Sequence, residues 1–106
     1  MKSGISAAMF EQVYEVIRER KQSSPEESYV ASLMTKGTDA ILKKIGEESA
    51  EVIIAAKNKN RDEQIHEITD LWFHLLVLLV DQGLKLEDVS KEFEKRLGQS
   101  GLEEKA

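Results

Sequence analysis

Ile41-Leu42-Lys43-Lys44-Ile45-Gly46-Glu47-Glu48-Ser49-Ala50-Glu51-Val52 is the stretch on which the fold turns, because it carries an apolar helical stripe with an acid inside it. On a wheel of about 100° per residue with Ile41 at zero, Ile45, Val52 and Ala56 fall at about 40°, 20° and 60° and define the inward face. Glu48 lands at about 340°, between apolar neighbours, while Glu51 lies at the edge at about 280° and Glu47 further round at about 240°. A buried carboxylate without a partner is strongly unfavourable. Glu48 therefore asks for a counter-charge.

Working outward, Thr38 is the expected N-cap of this helix, with Asp39 favourable in its first turn. The helix should reach residue 58, where Asn58-Lys59-Asn60 breaks it. Residues 61–82 read as the next helix, stopped by Gly83. So short a turn makes the two helices antiparallel neighbours. Upstream, residues 5–21 place Phe10, Val13, Tyr14 and Ile17 at helical spacing before Gln22-Ser23-Ser24-Pro25 signals a loop. Tyr29, Val30, Leu33 and Met34 fit a short helix that Gly37 ends. Leu86-Glu87-Asp88 opens a last helix, ending near Gly98, and residues 99–106 form a polar tail. With one proline, six glycines and few period-two β-branched runs, the chain reads as all-α. The expected architecture is a single domain over residues 1–106, a helical bundle of four to five helices.

Composition narrows the function. The 106 residues suffice for one core. Leu71-Trp72-Phe73-His74-Leu75-Leu76-Val77-Leu78-Leu79-Val80 is apolar all round except at His74, more than a small domain can cover, so homodimerisation should complete the bundle. Without cysteine there is no disulfide scaffold, zinc ribbon or thiol nucleophile. Met1-Lys2-Ser3-Gly4 opens without the apolar region of a secretory signal. The apolar runs stay below the ~20 residues of a membrane span. A net charge of −5 argues against nucleic acid as partner. It also looks unsuited to a phosphorylated substrate.

The acids resolve that tension. Glu67 and Asp70 are three apart and share a face, and His74 continues it one turn on. Two such acidic pairs on antiparallel helices can converge, and carboxylates crowded together repel unless protonated or bridged by a cation. Oxygen-only ligands favour Mg²⁺ or Mn²⁺ over zinc, and a bound divalent ion would let an acidic pocket receive phosphate oxygens. Spacing equally allows a solvated face of Glu–Lys pairs, with Lys43, Lys44 and Lys57 as ordinary surface lysines. His66-Glu67-Ile68-Thr69-Asp70 lacks the second histidine of a zincin helix. Glu63-Gln64-Ile65-His66 lacks the second copy that a di-iron bundle needs. His74 reads as a core histidine bonded one turn back to Asp70, and Trp72, Phe73 and the leucines as core or dimer contacts.

Glu47-Glu48-Ser49-Ala50-Glu51, followed sixteen residues after Glu51 by Glu67-Ile68-Thr69-Asp70, resembles the Glu-Glu-x-x-Glu…Glu-x-x-Asp signature of the all-α nucleotide pyrophosphohydrolases. Ser28-Tyr29-Val30-Ala31-Ser32-Leu33, Lys36-Gly37-Thr38-Asp39, the stretch from Ile41 to Glu48, the stretch from Asp70 to Leu79 and the tail Ser100-Gly101-Leu102-Glu103-Glu104-Lys105 resemble the phosphoribosyl-ATP pyrophosphatase family of histidine biosynthesis. From about Phe10 onward the likeness covers nearly the whole chain. It implies Mg²⁺-dependent hydrolysis of 1-(5-phosphoribosyl)-ATP to 1-(5-phosphoribosyl)-AMP and pyrophosphate by a cytoplasmic homodimer. The next step would fall to a separate cyclohydrolase. Carried onto this sequence, the metal ligands would be Glu48, Glu51, Glu67 and Asp70. Glu47 would orient or deprotonate the attacking water. Lys36 and Lys44, then Lys43 and Lys57, would be the candidates to hold the substrate's phosphates. The alternative substrate is another, non-standard nucleoside triphosphate.

Overall fold

The computed structural model describes residues 2–98, with side chains from residue 8 onward. The elements run α1 (Lys2–Arg20), α2 (Tyr29–Lys36), α3 (Thr38–Lys57), α4 (Arg61–Gln82) and α5 (Leu86–Leu97). Among the described residues there is no strand. Residues 99–106, including the tail from Ser100 to Lys105, and Met1 lie outside the description.

Each boundary has a local cause. α1 starts at Lys2 rather than residue 5, because Lys2-Ser3-Gly4 carries no large apolar residue to mark that turn by helical spacing. Ser28 caps α2, its Oγ accepting from the Ala31 N–H at 3.2 Å. Gly37 both ends α2, donating to the Leu33 and Met34 carbonyls, and opens α3 at φ +102°. That backbone conformation suits glycine, so the cap expected at Thr38 falls one residue earlier. Thr38 becomes the first residue of α3, and its hydroxyl donates to Asp81 Oδ2 at 2.8 Å, tying the start of α3 to the end of α4. Lys59 takes a left-handed φ of 57° in the turn between them. Asn60 Oδ1 then accepts from the Glu63 N–H at 3.0 Å. Asn60→Ala is expected to cost about 1 kcal/mol of stability, read as a lower urea midpoint. Gly83 closes α4 at φ 71°, and the Leu84 N–H reaches back to the Leu79 carbonyl at 2.8 Å.

α3 and α4 form the most extensive helix pair, covered by α1 and α2. The core joins Ile17 of α1, Val30 and Leu33 of α2, Ile41 of α3, and Leu76, Val77 and Val80 of α4. The buried residues of α3 are Ile41, Glu48 and Ala55, spaced by seven, while Ala56 is exposed and Ile45 and Val52 are half-buried. The wheel thus placed the inward face one residue off at its C-terminal end. A seven-residue repeat belongs to helices crossing at a shallow angle, and it puts Glu48 at the middle of the contact row. On α4, His74 is buried while Ile65, Ile68 and Trp72 face outward. The Trp72 ring rests on Phe10, centroids 4.9 Å apart. α5 buries none of its residues, leaving Val89, Phe93 and Leu97 exposed. No helix among the described residues is long and apolar enough to cross a membrane.

Candidate active site

The antiparallel pairing of α3 and α4 sets the acids facing one another. Glu48, Glu51 and Glu67 bring carboxylate oxygens within 4.8 Å of each other. Glu48 is only 5% exposed, and its Oε1 is enclosed without a hydrogen-bond partner, as is Oε1 of the half-buried Glu67. Buried oxygens without donors are costly unless something positive reaches them. Lys44 stands beside the group, 3.6 Å from Glu48 Oε2 and 3.6 Å from Glu47 Oε1. One lysine cannot serve three carboxylates.

Charge crowding shows in Glu67. A hydrogen bond with Glu51, which that pair can make only while it holds a proton, raises it to about 7, with desolvation and the Glu51 charge adding to the effect. In the metal-free protein the fold therefore retains a proton that the unfolded chain releases near 4.5. This contribution is fully present below that value and is lost as pH rises through about 7. The melting temperature of the wild type relative to Glu67→Gln, both in chelator, is expected to fall between pH 4.5 and 8; a flat difference would refute the crowding.

Asp70 stands apart from that trio. With Glu67 and His66 it forms a second group within 4.8 Å, its Oδ2 3.4 Å from His66 Nε2. The structure thus joins three of the four acids expected as ligands and turns the fourth toward the exposed His66. Glu47 is exposed and paired with Lys44. Lys36 at the end of α2, Lys43 on α3 and Lys57 at the end of α3 are all exposed. Only Lys44, among the four lysines, lies against the acids.

His74, buried as expected, bonds back to Asp70 through that residue's carbonyl oxygen, 2.8 Å from Nδ1. Tyr29, whose hydroxyl lies 2.7 Å from His74 Nε2, was not legible as a site neighbour, since nothing in its spacing links α2 to α4. Burial raises the Tyr29 hydroxyl above its ordinary value, with Lys44 acting against this and Glu48, Asp70 and Glu47 reinforcing it. A cavity of about 420 Å³ between α1 and α2 has Tyr29 and Phe73 in its wall but none of the acids. Tyr29 is its link with the carboxylates.

Enclosed, donor-less carboxylate oxygens on two facing helices are a donor set for a hard divalent cation. The residues present fit such an ion.

Comparison with known proteins shows the family. Residues 10–97 match the model of the family described as phosphoribosyl-ATP pyrophosphohydrolase. A phosphoribosyl-ATP pyrophosphatase of Methylococcus capsulatus is 53% identical over 87% of this chain and 88% of its own length. That of Aromatoleum aromaticum is 50% identical over 95% and 94%, and that of Neisseria meningitidis 50% over 89% and 88%. The chain therefore belongs to the phosphoribosyl-ATP pyrophosphohydrolase family.

Proposed function

We propose that this protein hydrolyses 1-(5-phosphoribosyl)-ATP to 1-(5-phosphoribosyl)-AMP and pyrophosphate, a cytoplasmic step of histidine biosynthesis, and that it does so with Mg²⁺, for which Mn²⁺ can substitute. The observation that carries the reading is the Glu48–Glu51–Glu67 group with its two enclosed, unbonded oxygens, in a chain of this family. Glu48, Glu51 and Glu67 would hold the cation, with Asp70, which shares a second group with Glu67, as the fourth ligand. The bound ion supplies charge to phosphate oxygens that the acids alone would repel.

The chain's own groups supply the rest. Water adds across the α–β anhydride, its oxygen ending on one phosphorus and the broken bridge oxygen leaving with the other. Glu47, exposed at the edge of the site, orients that water and accepts its proton. Lys44, 3.6 Å from both Glu47 and Glu48 at the site, offers its ammonium to a phosphate, and Lys36, Lys43 and Lys57 hold outlying phosphate charge. The outward row of Ile65, Ile68 and Trp72 on α4 packs against a second copy, giving a homodimer.

The deciding assay measures pyrophosphate released from phosphoribosyl-ATP, ATP and deoxynucleoside triphosphates side by side, with Mg²⁺ and with chelator. Mg²⁺-dependent release favouring phosphoribosyl-ATP is expected. A clear preference for a simple deoxynucleotide would move the chain to the pyrophosphohydrolases of other nucleoside triphosphates.

A further inference from the structure

His74 is a buried titratable group, 5% exposed, for which hydrolysis as described has no use. Its Nδ1 faces the Asp70 carbonyl oxygen at 2.8 Å. A carbonyl can only accept, so Nδ1 carries the proton. In the neutral imidazole Nε2 is then the acceptor, and the Tyr29 hydroxyl, 2.7 Å away, donates to it. The imidazole is further held edge-on by the rings of Tyr29 and Phe73, each at 90° to it.

Within a continuous helix the Asp70 carbonyl already accepts the backbone N–H of residue 74. The imidazole adds a second donor to the same oxygen, so the Asp70 peptide is fixed from two sides. Tyr29 is the first residue of α2, directly after its cap at Ser28. A series of bonds therefore runs from the capped start of α2, through Tyr29 and His74, into the turn of α4 that bears Asp70. Tyr29 itself is half-exposed and lies close enough to the acids for Glu48 and Asp70 to act on its hydroxyl. Its polar end is thus at the site boundary rather than in the core. Asp70 is also the acid that stands outside the Glu48–Glu51–Glu67 group. To join them its carboxylate would have to leave His66, and the position of its backbone on α4 sets where that carboxylate can reach.

We propose that Tyr29 and His74 are positioning residues acting in series, which fix the Asp70 peptide so that its carboxylate completes the cation site. The proposal rests on the acids being that site.

The test titrates Mn²⁺ and Mg²⁺ into the full chain without nucleotide, following binding by calorimetry and melting temperature. Tyr29→Phe keeps the ring on a half-exposed residue and removes only the hydroxyl. His74→Asn keeps an N–H for the Asp70 carbonyl and removes the acceptor for Tyr29. Tyr29→Phe is expected to weaken Mn²⁺ binding by about tenfold, with unchanged far-UV circular dichroism and a metal-free melting temperature close to wild type. Combining it with His74→Asn should weaken binding no further, since both changes break one chain of bonds. Wild-type metal affinity in Tyr29→Phe, or losses that multiply in the double variant, would overturn the positioning role alone. A wild-type chain that binds neither ion would overturn the cation reading and this role with it. Tyr29→Phe carries the test by itself if the buried His74→Asn does not fold.

Discussion

Glu48→Gln is expected to lower phosphoribosyl-ATP turnover by about a thousandfold or more, roughly 4 kcal/mol of transition-state stabilisation, while leaving helical content intact. The substitution conserves volume, so the seven-residue contact row of Ile41, Glu48 and Ala55 stays filled. What disappears is the negative charge at the most enclosed of the grouped acids. In the absence of metal the loss of one like charge beside Glu51 and Glu67 relieves repulsion, and Lys44 retains Glu47 as partner. The metal-free variant should therefore melt no lower than wild type, yet the rise in melting temperature that Mg²⁺ gives the wild type should vanish. Turnover by Glu48→Gln at the wild-type rate would remove Glu48 from the ligand set.

Ile68→Asp should split the proposed homodimer. Ile65, Ile68 and Trp72 are spaced as neighbours along α4 and all face outward. Trp72 also packs on Phe10 within one chain, so its replacement would damage the monomer as well. Ile68, 42% exposed, tests the surface without that confusion. A charge enclosed in the interface costs about 2–5 kcal/mol, a roughly thirtyfold to several-thousandfold weaker association. Light scattering at low micromolar concentration should report a halved mass with unchanged helical content. A wild type that is already monomeric, or an Ile68→Asp variant that stays dimeric, would refute this assembly.

The helices were readable in the sequence because their signals are local. The apolar spacing along residues 41–56, Gly83 and the Asn58-Lys59-Asn60 break act within one or two turns. So did the anomaly of Glu48, since an acid among Ile41, Ile45 and Val52 is visible on a wheel. Three features escaped for one shared reason: each depends on how elements meet. Gly37 takes the cap expected of Thr38 because α2 and α3 are joined through a single residue, while the Thr38 hydroxyl finds Asp81 forty-three positions away. Ala55 replaces Ala56 in the core because α3 obeys the seven-residue repeat of a packed pair instead of the 3.6-residue period of a free helix. Tyr29 meets His74 through an α2–α4 contact that no spacing encodes, whereas the Asp70–His66 pair, four apart on one helix, is a local rotamer choice that spacing allows.

The turn at Lys59 has a kinetic meaning. Glu51 and Glu67 lie sixteen positions apart in the chain, and only three residues separate the helices that carry them. Closing so short a loop loses little chain entropy, and contacts of low sequence separation form early in folding. The grouped carboxylates should thus assemble in the nascent α3–α4 hairpin before α1 is docked. Divalent ions would then speed refolding, while their effect on the unfolding rate would be the smaller one.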